Sequence, residues 1–295
     1  MAVGKLVDQW GRPIDLPSLK REVAAPSVMG VRQVVGGHPA VGLTPARLAG
    51  LLRQAESGDP TSYLELAEEM EEKDLHYLAV LGTRKRQVAQ LEITVEAAND
   101  DKDDQANADL VRQWLNRDTL TDDVFDILDA VGKGFSVTEL MWEMSERQWW
   151  PGRLEFVDPR WLRFDQLTGR KPQLLNDHGV AEDLAPFKFI YHQVRAKSGL
   201  PIRSGLARPV SWMWMFKNYT VKDWVAFAEV YGMPFRLGKY ESGATPEEIR
   251  TLLRALADFG ADAAAAIPKS MDIEFVDGKG STADGALFRG MAEWF

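Results

Sequence analysis

Chemistry would show first as clustered nucleophiles, metal ligands or phosphate-cradling glycines, and each class has a candidate here that fails on spacing. A Walker-type loop sets its glycines at fixed distances before a Lys and a Ser or Thr, so that backbone N–H groups hold phosphates and the hydroxyl holds magnesium. The nearest stretch, Gly232 to Lys239, has the wrong spacing and carries Tyr240 at the magnesium position, while DGKGST at Asp277 to Thr282 lacks the upstream glycine. The four histidines, His38, His76, His178 and His192, form no HExxH or short-spaced pair, so each reads as a surface or locally satisfied residue rather than a zinc ligand. Ser204 lies in RSGL, without the flanking glycines of a nucleophile elbow. The absence of cysteine removes thiolate sites and disulfides together. Acidic residues are plentiful, and scattered carboxylates can build a metal-dependent nuclease. The run Asp100, Asp101, Asp103 and Asp104 has no specific spacing, however, and reads as a solvated loop. The expectation is a protein that is not an enzyme, with no catalytic residue, no cofactor and no metal.

Composition bounds the alternatives. With 45% hydrophobic and 27% charged residues, a chain of 295 residues is an ordinary folded protein, long enough for two domains or for one large body with an excursion. No apolar run reaches the roughly 18 to 20 residues of a membrane span, and MAVGKLVDQWGRPIDL lacks a signal-peptide core. A net charge of -9 argues against a protein that coats DNA by neutralising phosphates. It still permits a duplex to pass, because an acidic wall discourages sticking.

The elements follow from punctuation and periodicity. Residues 1 to 43 are broken by Gly and Pro and read as an extended arm or a disordered tail. Thr44 followed by Pro45 starts a helix with Leu48, Leu51, Leu52 and Ala55 on one face, and Gly58 closes it. Asp59-Pro60 starts another, with Leu64, Ala67 and Met70 inward and Glu65, Glu68, Glu69, Glu71 and Glu72 on a face expected to be solvated; this helix or a second one runs on to Arg86. The alternation of Leu91, Ile93 and Val95 predicts a strand over Gln90 to Ala98. Two further helices are expected, one bearing Ala108, Val111, Trp114 and Leu115 and one from Asp122 to Val131. Aromatic-rich strands follow at Phe135 to Trp142, Leu154 to Val157, Trp161 to Phe164 and Phe187 to His192. The fold class is α+β.

From Leu206 to Tyr231 a long helix carries Trp212, Trp214, Phe216, Tyr219, Trp224 and Phe227 around most of its circumference. A helix apolar on most sides is buried on most sides. It is either the central core helix of a monomer or a helix packed between subunits. Phe235 to Tyr240 and Met271 to Val276 read as strands. Between them Thr245-Pro246-Glu247-Glu248 combines an N-cap, an N1 proline and a Glu at N3, the capping-box arrangement, with Gly260 as a stop. A last helix starts near Ser281 or Thr282 and has no stop signal at Phe295, as in a piece of a longer chain.

The order of these features resembles the portal protein family of Mu-like phages and prophages. The segments that carry the resemblance are Leu43 to Pro60, Leu66 to Leu91, GKGFSVTELMWE at Gly132 to Glu143, DPRWLRFD at Asp158 to Asp165, KSGLPIRSGLARP at Lys197 to Pro209, Phe216 to Tyr240 and IPKSMDIEF at Ile267 to Phe275. The resemblance implies a subunit of a ring, usually of twelve copies, at a capsid vertex of the virion, synthesised in the bacterial host cytoplasm. Double-stranded DNA is packaged and ejected through such a ring, which docks the large terminase, the capsid and neck or tail proteins. It implies an N-terminal arm at 1–43, a wing at 44–205, a first stem helix at 206–231, a clip at 232–277 and the start of a second stem helix at 278–295. On that frame Trp212, Phe216, Trp224 and Phe227 are candidates for packing between subunits. Lys217 and Lys222 are candidates for touching DNA in the channel, or else solubilising charges. Glu247, Arg250, Arg254 and Asp258 are candidates for clip contacts, or else a solvated outer face. The alternative is a nuclease or other DNA-processing enzyme of a prophage.

Overall fold

A computed structural model describes residues 7, 11–28, 30–145, 148–231, 235–258, 271–276 and 286–294. The chain divides into two compact units, Met1–Trp214 and Met215–Phe295.

The first unit opens with α1 (Leu16–Lys20), then α2 (Pro45–Glu56), α3 (Thr61–Lys73) and α4 (Leu75–Ala89). α2 starts where the residue types require, with the Thr44 hydroxyl accepting the Arg47 N–H at 3.2 Å and Pro45 in the first turn. α3 and α4 are separate helices because Asp74 ends one and caps the other, accepting the N–H groups of His76 and Tyr77, each at 3.0 Å. α3 buries Tyr63, Leu64, Leu66, Ala67 and Met70 against the rest of the unit.

Its acidic face departs from the expected solvated one. Glu69 is buried and accepts the Ala40 N–H at 2.9 Å, and Glu65 accepts the Gly37 N–H at 2.9 Å. Glu68 pairs with the fully buried Lys133, which also meets Asp129 at 2.6 Å and Glu71 at 3.9 Å. Glu65, Glu68 and Glu69 thus meet partners far along the chain, which local periodicity does not contain.

α5 (Lys102–Leu115), α6 (Leu120–Ile127) and α7 (Ala130–Lys133) follow. α5 begins inside the acidic run, so Asp103 and Asp104 lie in its first turn and complement the helix dipole rather than forming a loop. No strand forms over residues 90–98, which is a correction to the alternating pattern of Leu91, Ile93 and Val95. A strand needs a ladder partner. Here the Val95 carbonyl instead accepts the Arg112 guanidinium of α5 at 3.0 and 2.5 Å, and Leu91 and Ile93 are exposed.

Two antiparallel sheets complete the unit. One has the order β2 (Gln148–Val157), β1 (Phe135–Ser145), β6 (Phe189–Gln193), and the other β3 (Leu162–Phe164), β4 (Pro172–Leu175), β5 (Ala181–Asp183). β1 is the central strand and is buried on both faces from Phe135 to Glu139. An edge-to-face contact of Phe135 with Phe164, centroids 4.9 Å apart, joins the two sheets.

Residues 19–24 pack against the sheet centred on β1. The Glu139 carboxylate, fully buried at the sheet centre, accepts the N–H groups of Val23 and Ala24 at 2.6 and 2.8 Å. Lys188, also fully buried, reaches Glu139 at 3.1 Å and donates to the carbonyls of Leu19 and Leu140, each at 2.9 Å. The ammonium thus has two carbonyl acceptors, the Met141 sulfur at 3.4 Å and a carboxylate counter-ion, the condition under which a buried lysine is tolerated.

The long helix α8 (Ala207–Tyr231) crosses the boundary between the units. In the second unit β7 (Phe235–Tyr240) pairs antiparallel with β8 (Met271–Val276), α9 (Pro246–Asp258) lies between them in sequence, and α10 (Ala286–Trp294) follows. Ser281, Thr282, Gly260 and the Gly232–Pro234 helix end lie outside the described residues.

Candidate functional site

α8 is anchored at its start and exposed further on. Arg208 pairs with Glu56 of α2, and Ala207 and Ser211 are fully buried at helical spacing, followed by Trp214 and Met215. The Ser211 hydroxyl satisfies itself on the Arg208 carbonyl at 2.7 Å, and Thr220 does the same on Phe216 at 3.1 Å. Of the candidate packing residues, Trp212, Phe216 and Trp224 are half-buried, and the Phe227 side chain lies outside the described residues. Met213, Tyr219, Val221 and Val225 are exposed, Val225 by 55%. Lys222 is exposed and Lys217 half-buried. Among the described side chains the helix therefore carries solvent-facing apolar surface from Tyr219 to Val225.

In the second unit the capping box forms as its sequence requires. The Thr245 N–H donates to the Glu248 carboxylate at 2.7 Å and the Glu248 N–H to the Thr245 hydroxyl at 3.3 Å, holding the Glu248 carboxyl below its usual range through the backbone hydrogen bond. α9 buries Leu252, and Leu252 and Leu256 crowd Gly238 of β7 so closely that a Cβ there would meet Leu256 at 2.7 Å. Glu247, Arg250 and Arg254 are exposed on the outer side, while the Asp258 side chain lies outside the described residues.

A third feature involves the segment that contains KSGLPIRSGLARP. The loop from Val194 to Leu206 leaves and returns at one turn: the Val194 N–H donates to the Gly134 carbonyl at 3.2 Å and the Leu206 N–H to the Val131 carbonyl at 3.1 Å. At that turn Gly134 (φ +96°) and Gly205 bring backbone onto backbone, since a Cβ on Gly205 would lie 2.3 Å from the Gly132 carbonyl oxygen and one on Gly134 2.3 Å from that of Pro201. The buried Ser204 hydroxyl ties the interior of the loop to the Lys197 carbonyl at 2.9 Å. The loop, with Arg170 from the β3–β4 turn, lines a cavity of about 490 Å³. KSGL and RSGL mark the segment, but the convergence of Arg170 with Arg195 and Lys197 is tertiary and has no local signal.

Among the described residues no three His, Asp or Glu side chains converge as a metal set, and no helix is long and apolar enough to cross a membrane.

Comparison with known proteins finds a match to the family model described as the portal protein of Mu bacteriophage, over residues 64–295. Two curated relatives align over nearly the whole chain. The Mu-like prophage FluMu protein gp29 of Haemophilus influenzae is 36% identical over 301 residues, covering 98% of this chain and 56% of that protein. The portal protein of Escherichia phage Mu is 33% identical over 298 residues, covering 99% of this chain and 57% of that protein. The chain thus spans a little over half the length of these relatives. Among solved structures, an HK97 family phage portal protein from Corynebacterium diphtheriae aligns over 88% of this chain and 75% of that one, at 10% identity and a TM-score of 0.36.

Proposed function

The chain belongs to the family of the Mu bacteriophage portal protein, and from that premise we propose that it is part of a portal subunit, a structural component of the ring through which double-stranded DNA enters and leaves a capsid. The observation that carries this reading is the continuous match over residues 64–295. It accords with the absence of any nucleophile or phosphate-loop spacing in the sequence, since a conduit makes and breaks no bond. The comparisons give no support to a nuclease.

On this reading residues 44–205 serve as wing, α8 as the first stem helix, residues 232–277 as clip and residues 278–295 as the start of the second stem helix. The exposed apolar residues of α8 then face neighbouring subunits, and Lys217 and Lys222 touch the passing duplex. The outer side of α9, with Glu247, Arg250 and Arg254, faces a neighbouring clip or the terminase. Capsid and neck or tail proteins complete the partners, and the assembled protein resides in the virion.

Electron microscopy and native mass measurement of the family-length protein test the reading directly. Closed rings of many copies with a central channel are expected. A protein that stays monomeric or dimeric at micromolar concentration, or that cleaves DNA with magnesium, refutes it.

A further inference from the structure

We propose that the cavity formed by the loop of residues 194–206 and Arg170 binds the phosphodiester backbone of a nucleic acid. The choice of DNA as ligand rests on the portal reading; the site itself does not.

The first observation is unbalanced charge. The chain has an acid excess, and the buried or half-buried cations of the first unit have carboxylate partners: Lys85 and Lys133 meet Asp129, Arg163 meets Asp59, and Arg203 and Arg208 meet Glu56. Arg170, Arg195 and Lys197 are exposed instead, and what sets them apart is their convergence. All three line one concavity, and among the described residues no side-chain hydrogen bond or ion pair is made by any of them. Each could be a solvated surface charge on its own. Three converging on one cavity, with no acidic residue in its lining, create a local positive potential inside an acidic protein.

The second observation is backbone organisation. The N–H groups of residues 195–199 donate to no protein acceptor among the described residues, and Gly199 holds a left-handed backbone at φ +118°. Successive unpaired N–H groups in a turn form an anion-binding concavity. The tethering at Gly134, Val131 and Ser204 fixes the loop before any ligand arrives, so little ordering cost falls on binding.

The lining also selects the kind of phosphate. No aromatic side chain is present on which a base would stack, so recognition is confined to the sugar-phosphate backbone and is independent of sequence. The cavity, at about 490 Å³, is far larger than one phosphate group and open, and its three charged groups suit adjacent phosphates of a polymer better than a single ion. Weak, salt-sensitive contact of this kind holds a duplex without stopping its movement.

The test is fluorescence anisotropy of a labelled duplex of arbitrary sequence with the 295-residue chain, over a salt series of about 25 to 200 mM. Binding that weakens with salt is expected, and the variant R170Q/R195Q/K197Q should reduce the slope of log affinity against log salt by about 2.7, from about 0.9 for each phosphate no longer neutralised. All three side chains are exposed, so an unchanged thermal transition shows that the variant is folded. An unchanged slope in a folded variant overturns the proposal. Titration with inorganic phosphate and with a nucleoside triphosphate separates the sources: binding of these alone, abolished in the triple variant, overturns the assignment to DNA. Ring imaging of the family-length protein is independent of all these outcomes. Rings without loop-dependent DNA binding sink this site and leave the portal reading intact, and loop-dependent DNA binding without rings does the converse.

Discussion

At the scale of single residues, the first unit is held by charges that have left water. Glu139 and Lys188 sit fully buried, and their pair holds the backbone of Leu19, Val23 and Ala24 against β1. Removing one member of such a pair leaves the other charge uncompensated and costs about 3–5 kcal/mol, whereas replacing both with neutral groups costs less. Glu139→Gln should therefore lower the urea midpoint by that free energy and speed amide exchange at Val23 and Ala24, and Glu139→Gln/Lys188→Met should restore part of the stability. Glu71 is the opposite case. One ammonium, Lys133, faces Glu68, Asp129 and Glu71, and at 3.9 Å Glu71 is the most distant, so burial dominates and pushes its carboxyl from 4.5 to about 7. The nearby Tyr63 and Tyr77 hydroxyls are buried without a hydrogen-bond partner, and burial drives both well above the ordinary phenol range. A carboxyl that holds its proton more tightly folded than unfolded contributes stability that is complete below pH 4.5 and is lost as pH rises through about 7. Glu71→Gln should remove that decline, making the variant more stable than the parent at pH 8 by on the order of 1–3 kcal/mol in denaturant titrations. A parallel decline in both proteins would show that other groups cause it.

At the scale of elements, what the sequence reveals depends on how far a residue's partner lies along the chain. Thr44-Pro45 and Thr245 to Glu248 are self-contained, and both helices begin where those residues place them. Asp74 lies in a charged stretch without a Gly or Pro to mark a break, and its carboxylate, capping α4, shows where α3 ends. Residues 90–98 have strand-forming alternation but no strand beside them, and the acidic face of α3 has the pattern of a solvated one because Gly37, Ala40 and Lys133 are remote in sequence. The α8 and α9 candidates are legible as surfaces, whereas Arg170 is about 25 residues from the loop it joins. Two glycines test how the loop is held. Gly205→Ala places a Cβ against backbone that cannot yield, and Gly134→Ala adds a left-handed strain of about 1–2 kcal/mol to a similar clash. Each should lower the thermal midpoint sharply or abolish soluble expression. Gly50, in the middle of α2 with open space beyond its Cα, is the control: Gly50→Ala should stabilise by about 0.5–1 kcal/mol. Tolerance of alanine at 205 would mean that the two turns do not meet.

At the scale of the whole molecule, the proposed ring makes a demand that a monomer does not: apolar surface must be left over after each subunit has folded. α8 meets it in a graded way. Its first turns are consumed by the unit's own fold at Ala207, Ser211 and Trp214, whereas Val221 and Val225 face solvent one helical turn apart, with Trp224 half-buried beside them. Residues four apart lie on one face of a helix, so these valines form a single stripe. Exposed apolar stripes of this kind mark contact surfaces or drive non-specific association. The double substitution Val221→Asp/Val225→Asp separates the two. In the 295-residue chain it should reduce concentration-dependent self-association in sedimentation velocity without lowering the thermal midpoint, because neither valine is part of the folded core. In the family-length protein it should shift material from rings to monomers in native mass spectra, since each copy brings two carboxylates into a desolvated contact that nothing offsets. Rings formed in undiminished yield would take this face of α8 out of the subunit interface and leave its apolar residues without the role proposed for them.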